Sequence, residues 1–163
     1  MLKGGVIGCG FFAANHLAAW ELLDGVEITA VCDTDPAKAR WNGAKSYTDA
    51  AAMLAAEKLD FVDIVTTAAS HRPLVELAAS HGVAVICQKP FALDLADARA
   101  MVAACERAAV PLMVHENFRW QSPLMAVKEV LDSGEIGDAA YACIQFRHAY
   151  DIYANQPYLR TEK

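Results

Sequence analysis

Gly8, Gly10 and Ala13 come directly after an apolar run, Gly4-Gly5-Val6-Ile7. They precede a helix-like stretch, a second apolar run and then Asp33, twenty positions past Ala13. This spacing suits the binding of a dinucleotide phosphate. Gly8 lets the chain leave the strand in a tight turn. Gly10 lets the backbone approach a pyrophosphate, and Ala13 keeps the new helix close to the sheet. The free N–H groups and dipole at that helix N-terminus favour negative charge. With Phe11 and Phe12 these residues form the expected cofactor loop. A plain glycine turn between a core strand and a core helix is the competing reading, and it leaves Asp33 unexplained. The Asp33 carboxylate can accept both hydroxyls of an adenosine ribose and would repel a 2′-phosphate. No arginine occurs in the next residues, Thr34-Asp35-Pro36, so the spacing predicts NAD, with NADP the weaker fit.

The other reactive groups fall at the ends of later apolar runs. Thr66 and Thr67 offer hydroxyls and backbone N–H groups to ribose or phosphate. His71 is open to two roles, contact with the cofactor or packing beneath the loop. Gln88-Lys89-Pro90 ends the next run, and all three are expected at the cofactor. A lysine at the inner end of a buried strand is costly without a partner or a task. Beside a nicotinamide, Lys89 can hydrogen-bond a substrate hydroxyl and stabilise its oxygen as hydride leaves the same carbon. The competing reading is a lysine that snorkels to the surface. Pro90 fixes the backbone next to it, and a cis Lys89–Pro90 bond would aim the amine. In His115-Glu116-Asn117-Phe118-Arg119-Trp120 the expected binding groups are Asn117 and Arg119, with Trp120 as a stacking wall. His115-Glu116 lacks a third ligand at metal-binding spacing, so no metal is expected.

The elements that must position these groups alternate. Strands are expected around Val6–Ile7, Ile28–Cys32, Phe61–Val65, Val83–Cys87 and Pro111–Val114. Helices are expected over Phe11–Leu23, from Asp35-Pro36, from Thr48 or Asp49 toward Lys58, over Pro73–His81 and from Asp94 through Arg107. This rhythm predicts an α/β fold, a doubly wound parallel sheet with its ligand edge at the strand C-termini. After His115 the pattern changes. Ser122-Pro123 opens a helix through Leu131, Gly134–Gly137 closes it, and Ala140–Tyr150 reads as a long, half-exposed strand. We therefore expect a cofactor domain over residues 1–120 and the start of an incomplete α+β domain over 121–163. The exposed strand predicts self-association into a homo-oligomer.

Composition narrows the function. A net charge of −6 without any Lys/Arg block argues against nucleic acid as a partner. No apolar run approaches the roughly 18–20 residues needed to cross a bilayer, which argues against a membrane. Met1-Leu2-Lys3 leads straight into the first strand, so no secretion signal is expected and the cytoplasm is the default location. Five scattered cysteines, Cys9, Cys32, Cys87, Cys105 and Cys143, suggest reduced thiols that fill space.

Taken together, the glycine loop, Asp33, Val-Ile-Cys-Gln-Lys-Pro-Phe-Ala and Val-His-Glu-Asn-Phe-Arg-Trp resemble the glucose–fructose oxidoreductase / inositol dehydrogenase (Gfo/Idh/MocA) family over essentially the whole chain. The resemblance implies an NAD(P)-dependent oxidoreductase acting on a sugar, inositol or related polyol hydroxyl. It maps the family's Glu-Lys-Pro motif to Gln88, Lys89 and Pro90, with Gln for Glu. It maps the Thr-Pro-Pro segment to Thr66-Thr67-Ala68, without the prolines. It also implies a second-domain helix carrying an Asp and a proton-accepting His, which would begin just beyond Lys163, so the chain reads as truncated within that domain. Two alternatives of other classes are a non-catalytic NAD-binding module and a purely structural domain.

Overall fold

The computed structural model describes residues 1–145 and 147. The chain separates into two compact units, Met1–Phe118 and Arg119–Lys163. In the first unit the strands are β1 (Leu2–Ile7), β2 (Val26–Cys32), β3 (Lys45–Tyr47), β4 (Phe61–Ile64), β5 (Ala84–Gln88) and β6 (Leu112–His115). The helices are α1 (Ala13–Glu21), α2 (Ala50–Ala56), α3 (His71–Ser80) and α4 (Leu95–Ala108). The strands form one sheet in the order β3-β2-β1-β4-β5-β6, and every pairing is parallel.

Side chains alternate between the two faces of this sheet, as the pleat requires. Val62 and Ile64 point into a core that also holds Met53, Val75, Ala78, Val85, Cys87 and Met101, covered by α2, α3 and α4. Phe61 and Val65 point the other way, into a smaller core with Val6, Ala13, Leu17, Ile28 and Val31. Helix α1 supplies Ala13 and Leu17 to that second face. The connection after β1 runs to β2 on one side, and the connection after β4 runs to β5 on the other. The strand order therefore reverses between β1 and β4, and their C-terminal ends open a crevice where ligands bind in such sheets.

Caps agree with the sequence. Asp49 accepts a hydrogen bond from the Ala51 N–H, and Asp94 accepts one from the Asp97 N–H at 2.8 Å, each closing a helix start. Two expectations are corrected, and one element is added. Asp35-Pro36 opens a single turn, with Lys38 and Ala39 N–H groups bonded to the Asp35 carbonyl. It does not continue as a helix, because Trp41 packs onto the second core and Gly43 turns the chain at φ 74° into β3. Strand β3 has no counterpart among the expected elements; it is three residues long and lies at the sheet edge. Ala140–Gln145 carries no regular secondary structure, since no strand among the described residues pairs with it; 146 and 148–150 lie outside the described residues. The expected self-association rested on that strand.

In the second unit α5 (Ser122–Ser133) has Pro123 in its first turn and stops at Gly134, φ 75°, in the left-handed conformation that favours glycine. Among the described residues no helix is long and apolar enough to cross a membrane.

Candidate functional site

The segments that leave the C-terminal ends of β1, β2, β4, β5 and β6 build the site. Gly8 has φ 91°, and its N–H donates to the Cys32 carbonyl at 2.7 Å. A Cβ there would lie 2.7 Å from both the Val65 carbonyl oxygen and Thr66 Cγ2, so only glycine fits. Gly10 differs: a Cβ there would meet nothing within 4 Å. That open space lies where the turn enters α1, whose Ala13 and Asn15 N–H groups donate to the Gly10 and Phe12 carbonyls. Ala13 is 1% exposed, holding the helix against the sheet. Phe11 is exposed, and Phe12 is half-buried against the second core.

Asp33, directly after β2, takes two backbone hydrogen bonds. Its Oδ2 accepts from the Cys9 N–H at 2.8 Å, and its Oδ1 accepts from the Asp35 N–H at 2.9 Å. The carboxylate thus ties the glycine loop to the end of β2, a role that sequence reasoning misses. Each oxygen keeps lone-pair capacity for a ribose hydroxyl. The glycine turn, the open surface at Gly10 and this carboxylate together fit an adenine dinucleotide.

After β4, Ser70 Oγ lies 2.8 Å from Thr66 Oγ1 and donates to the Thr67 carbonyl at 2.9 Å. Thr67 is exposed and Thr66 half-buried, so both stand at the crevice. His71 is fully buried. Its Nδ1 lies 3.1 Å from the Phe91 carbonyl oxygen and its Nε2 lies 3.1 Å from the Thr66 carbonyl oxygen. His71 packs between the β4 loop and the segment after Pro90.

Lys89 is exposed, which corrects the expectation of a buried amine: it stands one residue beyond the end of β5. Its ammonium lies 5.9 Å from the Phe12 ring centroid and 5.9 Å from that of Phe118, within cation–π range of both. The first turn of the glycine-loop helix and the lysine after β5 are thereby brought together. The Lys89–Pro90 peptide is cis. Gln88, by contrast, is 5% exposed. Its Oε1 accepts from the Lys89 N–H at 2.7 Å and its Nε2 lies 2.9 Å from His16 Nε2, so both polar ends are engaged inside the protein. Asn117 Oδ1 is buried without a partner among the described residues. In the second unit the Arg119 guanidinium lies 4.9 Å over the Trp120 ring.

One group escapes sequence reasoning altogether. Asp63, in the middle of β4, is 0% exposed. Its Oδ2 accepts from Trp20 Nε1–H at 2.9 Å and lies 2.7 Å from His16 Nδ1. The His16 ring stands 4.5 Å from that of His115. The signal is present in the chain: an acid inside the apolar run Phe61–Val65, which a parallel sheet buries on both faces.

The thiols near the crevice are chemically quiet. Burial, reinforced by Asp33 and Cys32, pushes Cys9 up to about 11. Burial, with Asp49 and Asp33, pushes Cys32 to about 11, and burial, with Asp63 and Cys105, pushes Cys87 to about 12. All three are protonated near neutral pH and are poor nucleophiles.

Comparison with known proteins agrees with this geometry. The profile of the Gfo/Idh/MocA family, described as an oxidoreductase family with an NAD-binding Rossmann fold, matches residues 2–116. A D-apiose dehydrogenase of Paraburkholderia graminis is 62% identical, the match covering 99% of this chain and 44% of the relative. An inositol 2-dehydrogenase of Burkholderia multivorans is 32% identical over 83% of this chain and 43% of the relative. Among solved structures, an oxidoreductase from Agrobacterium radiobacter in complex with NAD+, L-tartaric acid and magnesium superposes with a TM-score of 0.94. It is 53% identical, with 97% of this chain and 48% of that one covered. The WlbA dehydrogenase of Bordetella pertussis, in complex with NADH and UDP-GlcNAcA, gives a TM-score of 0.78 at 30% identity, covering 83% of this chain and 43% of that one. The chain spans less than half the length of each of these proteins. With the glycine turn, the 3-2-1-4-5-6 strand order and the family profile all in register, the chain belongs to the Gfo/Idh/MocA family of NAD-binding oxidoreductases.

Proposed function

We propose that this chain supplies the cofactor site and the hydroxyl-polarising lysine of an NAD-dependent sugar dehydrogenase, with D-apiose the first sugar to test. The observation that carries this reading is the Lys89 ammonium beside Phe12, at the start of the glycine-loop helix. Bound NAD supplies the hydride acceptor. Gly8 and Gly10 leave room for the pyrophosphate at the α1 N-terminus, and Thr66 and Thr67 line the facing loop. Asp33 accepts the ribose hydroxyls, and its charge disfavours the extra phosphate of NADP. Lys89 would donate an N–H to the hydroxyl oxygen of the substrate and stabilise the negative charge that grows there as the hydroxyl proton passes to a separate base, the histidine that the family resemblance implies, and the carbon gives up hydride to NAD. Asn117 Oδ1 accepts from a carboxamide or sugar hydroxyl. Arg119 and Trp120 supply a guanidinium and a ring face suited to polyol hydroxyls. D-apiose is favoured because the 62% identical relative bears that name.

Calorimetric titration tests the cofactor half of the proposal. NAD should bind more tightly than NADP, and Asp33→Asn should narrow that preference by about tenfold, because the repelling charge is gone. Equal affinity for the two nucleotides would sink the assignment of Asp33. On the intact protein, Lys89→Ala should abolish sugar-dependent NADH formation while leaving NAD affinity within about threefold, a loss confined to the transition state.

A further inference from the structure

Beneath Lys89 runs an unbroken chain of hydrogen bonds, buried beyond its first link, that the reaction as described does not use. The Lys89 backbone N–H can only donate, so the Gln88 atom 2.7 Å from it is the amide oxygen. The other end of that amide is therefore the NH2 group, which also only donates. It faces His16 Nε2 at 2.9 Å, so Nε2 must accept. The His16 proton then lies on Nδ1, which donates to Asp63 Oδ2 at 2.7 Å. One backbone N–H thus dictates, through Gln88, which tautomer His16 adopts. The linked side chains are nearly fully buried: Asp63 0%, Gln88 5% and His16 7% exposed. The groups facing His16 are Asp63 from β4, Gln88 from β5, the His115 ring from β6 at 4.5 Å and the Phe12 ring of its own helix start at 5.6 Å. Trp20 shares the Asp63 oxygen.

We propose that Asp63, His16 and Gln88 are positioning residues that hold the Lys89 turn in place, with Gln88 admitting only the neutral, Nδ1-protonated imidazole. The inference rests on the reading of Lys89 given above. A proton on His16 Nε2 would face the Gln88 NH2 group, donor against donor. Turning the amide over would repair that contact but place the NH2 against the Lys89 N–H. A second proton on His16 is therefore incompatible with the hydrogen bond that fixes the lysine's backbone. The same chain joins α1, which carries the glycine loop, to the end of β5, which carries the lysine. The two halves of the site are thereby locked to one another through the interior.

Imidazole 15N chemical shifts test this on the unaltered chain, where the expected result is His16 protonated at Nδ1 and bare at Nε2. An Nε2-protonated neutral ring would overturn the proposal. Gln88→Glu offers an acceptor to both neighbours, so His16 should become doubly protonated at pH values where the original ring is neutral; an unchanged ring would overturn it. Gln88→Met adds no charge and removes both bonds. Exchange of the Lys89 amide proton should then accelerate about tenfold or more. In the intact protein kcat should fall about tenfold, with the KM for NAD within about threefold of its original value. An unchanged Lys89 amide in Gln88→Met overturns the relay alone. Turnover that survives Lys89→Ala overturns the reading of Lys89, whatever the ring shows.

Discussion

At Gly8 two requirements coincide that at Gly10 come apart. Gly8 needs a left-handed φ of 91° and has backbone atoms of Val65 where a Cβ would go, whereas Gly10 faces open space. Gly8→Ala should therefore cost about 1–3 kcal/mol of stability and abolish NAD binding. Gly10→Ala should change stability by less than about 0.5 kcal/mol while still weakening NAD if the proposed site is correct, because its methyl enters the open space proposed for the pyrophosphate. Urea unfolding and calorimetry on the two variants would separate fold from function, and equal losses of stability would refute the distinction. At this scale the sequence is legible wherever the chemistry is local. Gly8, Asp33 and Lys89 each announce themselves by type and spacing. The Asp63–His16–Gln88 chain does not, because its partners lie 47 and 72 positions apart, and only the tertiary fold makes them neighbours. His71 can be narrowed to two roles but not one, since burial of its ring depends on the Phe91 carbonyl twenty positions away.

Helix α4 shows how far local signals reach at the level of an element. Its start is readable from Asp94, which caps the Asp97 N–H. Its end falls one residue past the expected Arg107 but carries no glycine signal, because Ala109 adopts a left-handed φ of 54° in a place where glycine is the usual residue. The two ends make opposite predictions. Asp94→Ala should destabilise the protein by about 1 kcal/mol, and Ala109→Gly should stabilise it by about 0.5–1 kcal/mol, because the exposed Cβ contributes strain without packing. Thermal melting of both variants checks the pair, and a destabilising Ala109→Gly would contradict the strain argument. The Asp35-Pro36 segment shows the reverse case. Its cap and proline signals are real and do close one turn, with Asp35 accepting from the Ala37 N–H at 2.9 Å. Burial of Trp41 and the turn at Gly43 then override the helical preference, as tertiary packing does when a segment is short. Strand β3 is illegible for a related reason. Three residues carry too little periodicity, and the strand is held by edge pairing to β2 and by Lys45 and Tyr47 bonding to Glu57 beyond α2.

For the molecule as a whole, His115 on the polar face between α1 and the sheet contributes to how stability depends on pH. His115 sits beside His16 at the end of β6, and its Nδ1 is buried without a partner among the described residues. Burial lowers its affinity for a proton below that of an ordinary histidine; Asp63 and Glu116 oppose this, while Lys89 adds to it. The unfolded chain binds that proton more readily than the folded one. Stability is therefore fully present above about pH 6.5, the usual histidine value, and is lost as pH falls below it. The direction is opposite to that of a histidine held by a carboxylate partner, so the measurement discriminates. Urea midpoints should fall between pH 7.5 and 5.5. The fall should be smaller in His115→Phe, which keeps a ring against His16 and removes the titrating group. A midpoint that rises on acidification, or one that falls equally in both proteins, would show that His115 does not govern this window. The net charge of −6 makes the comparison sharper, because mild acidification also relieves repulsion among the acidic groups. Any loss of stability at pH 5.5 must therefore come from groups that resist protonation inside the fold.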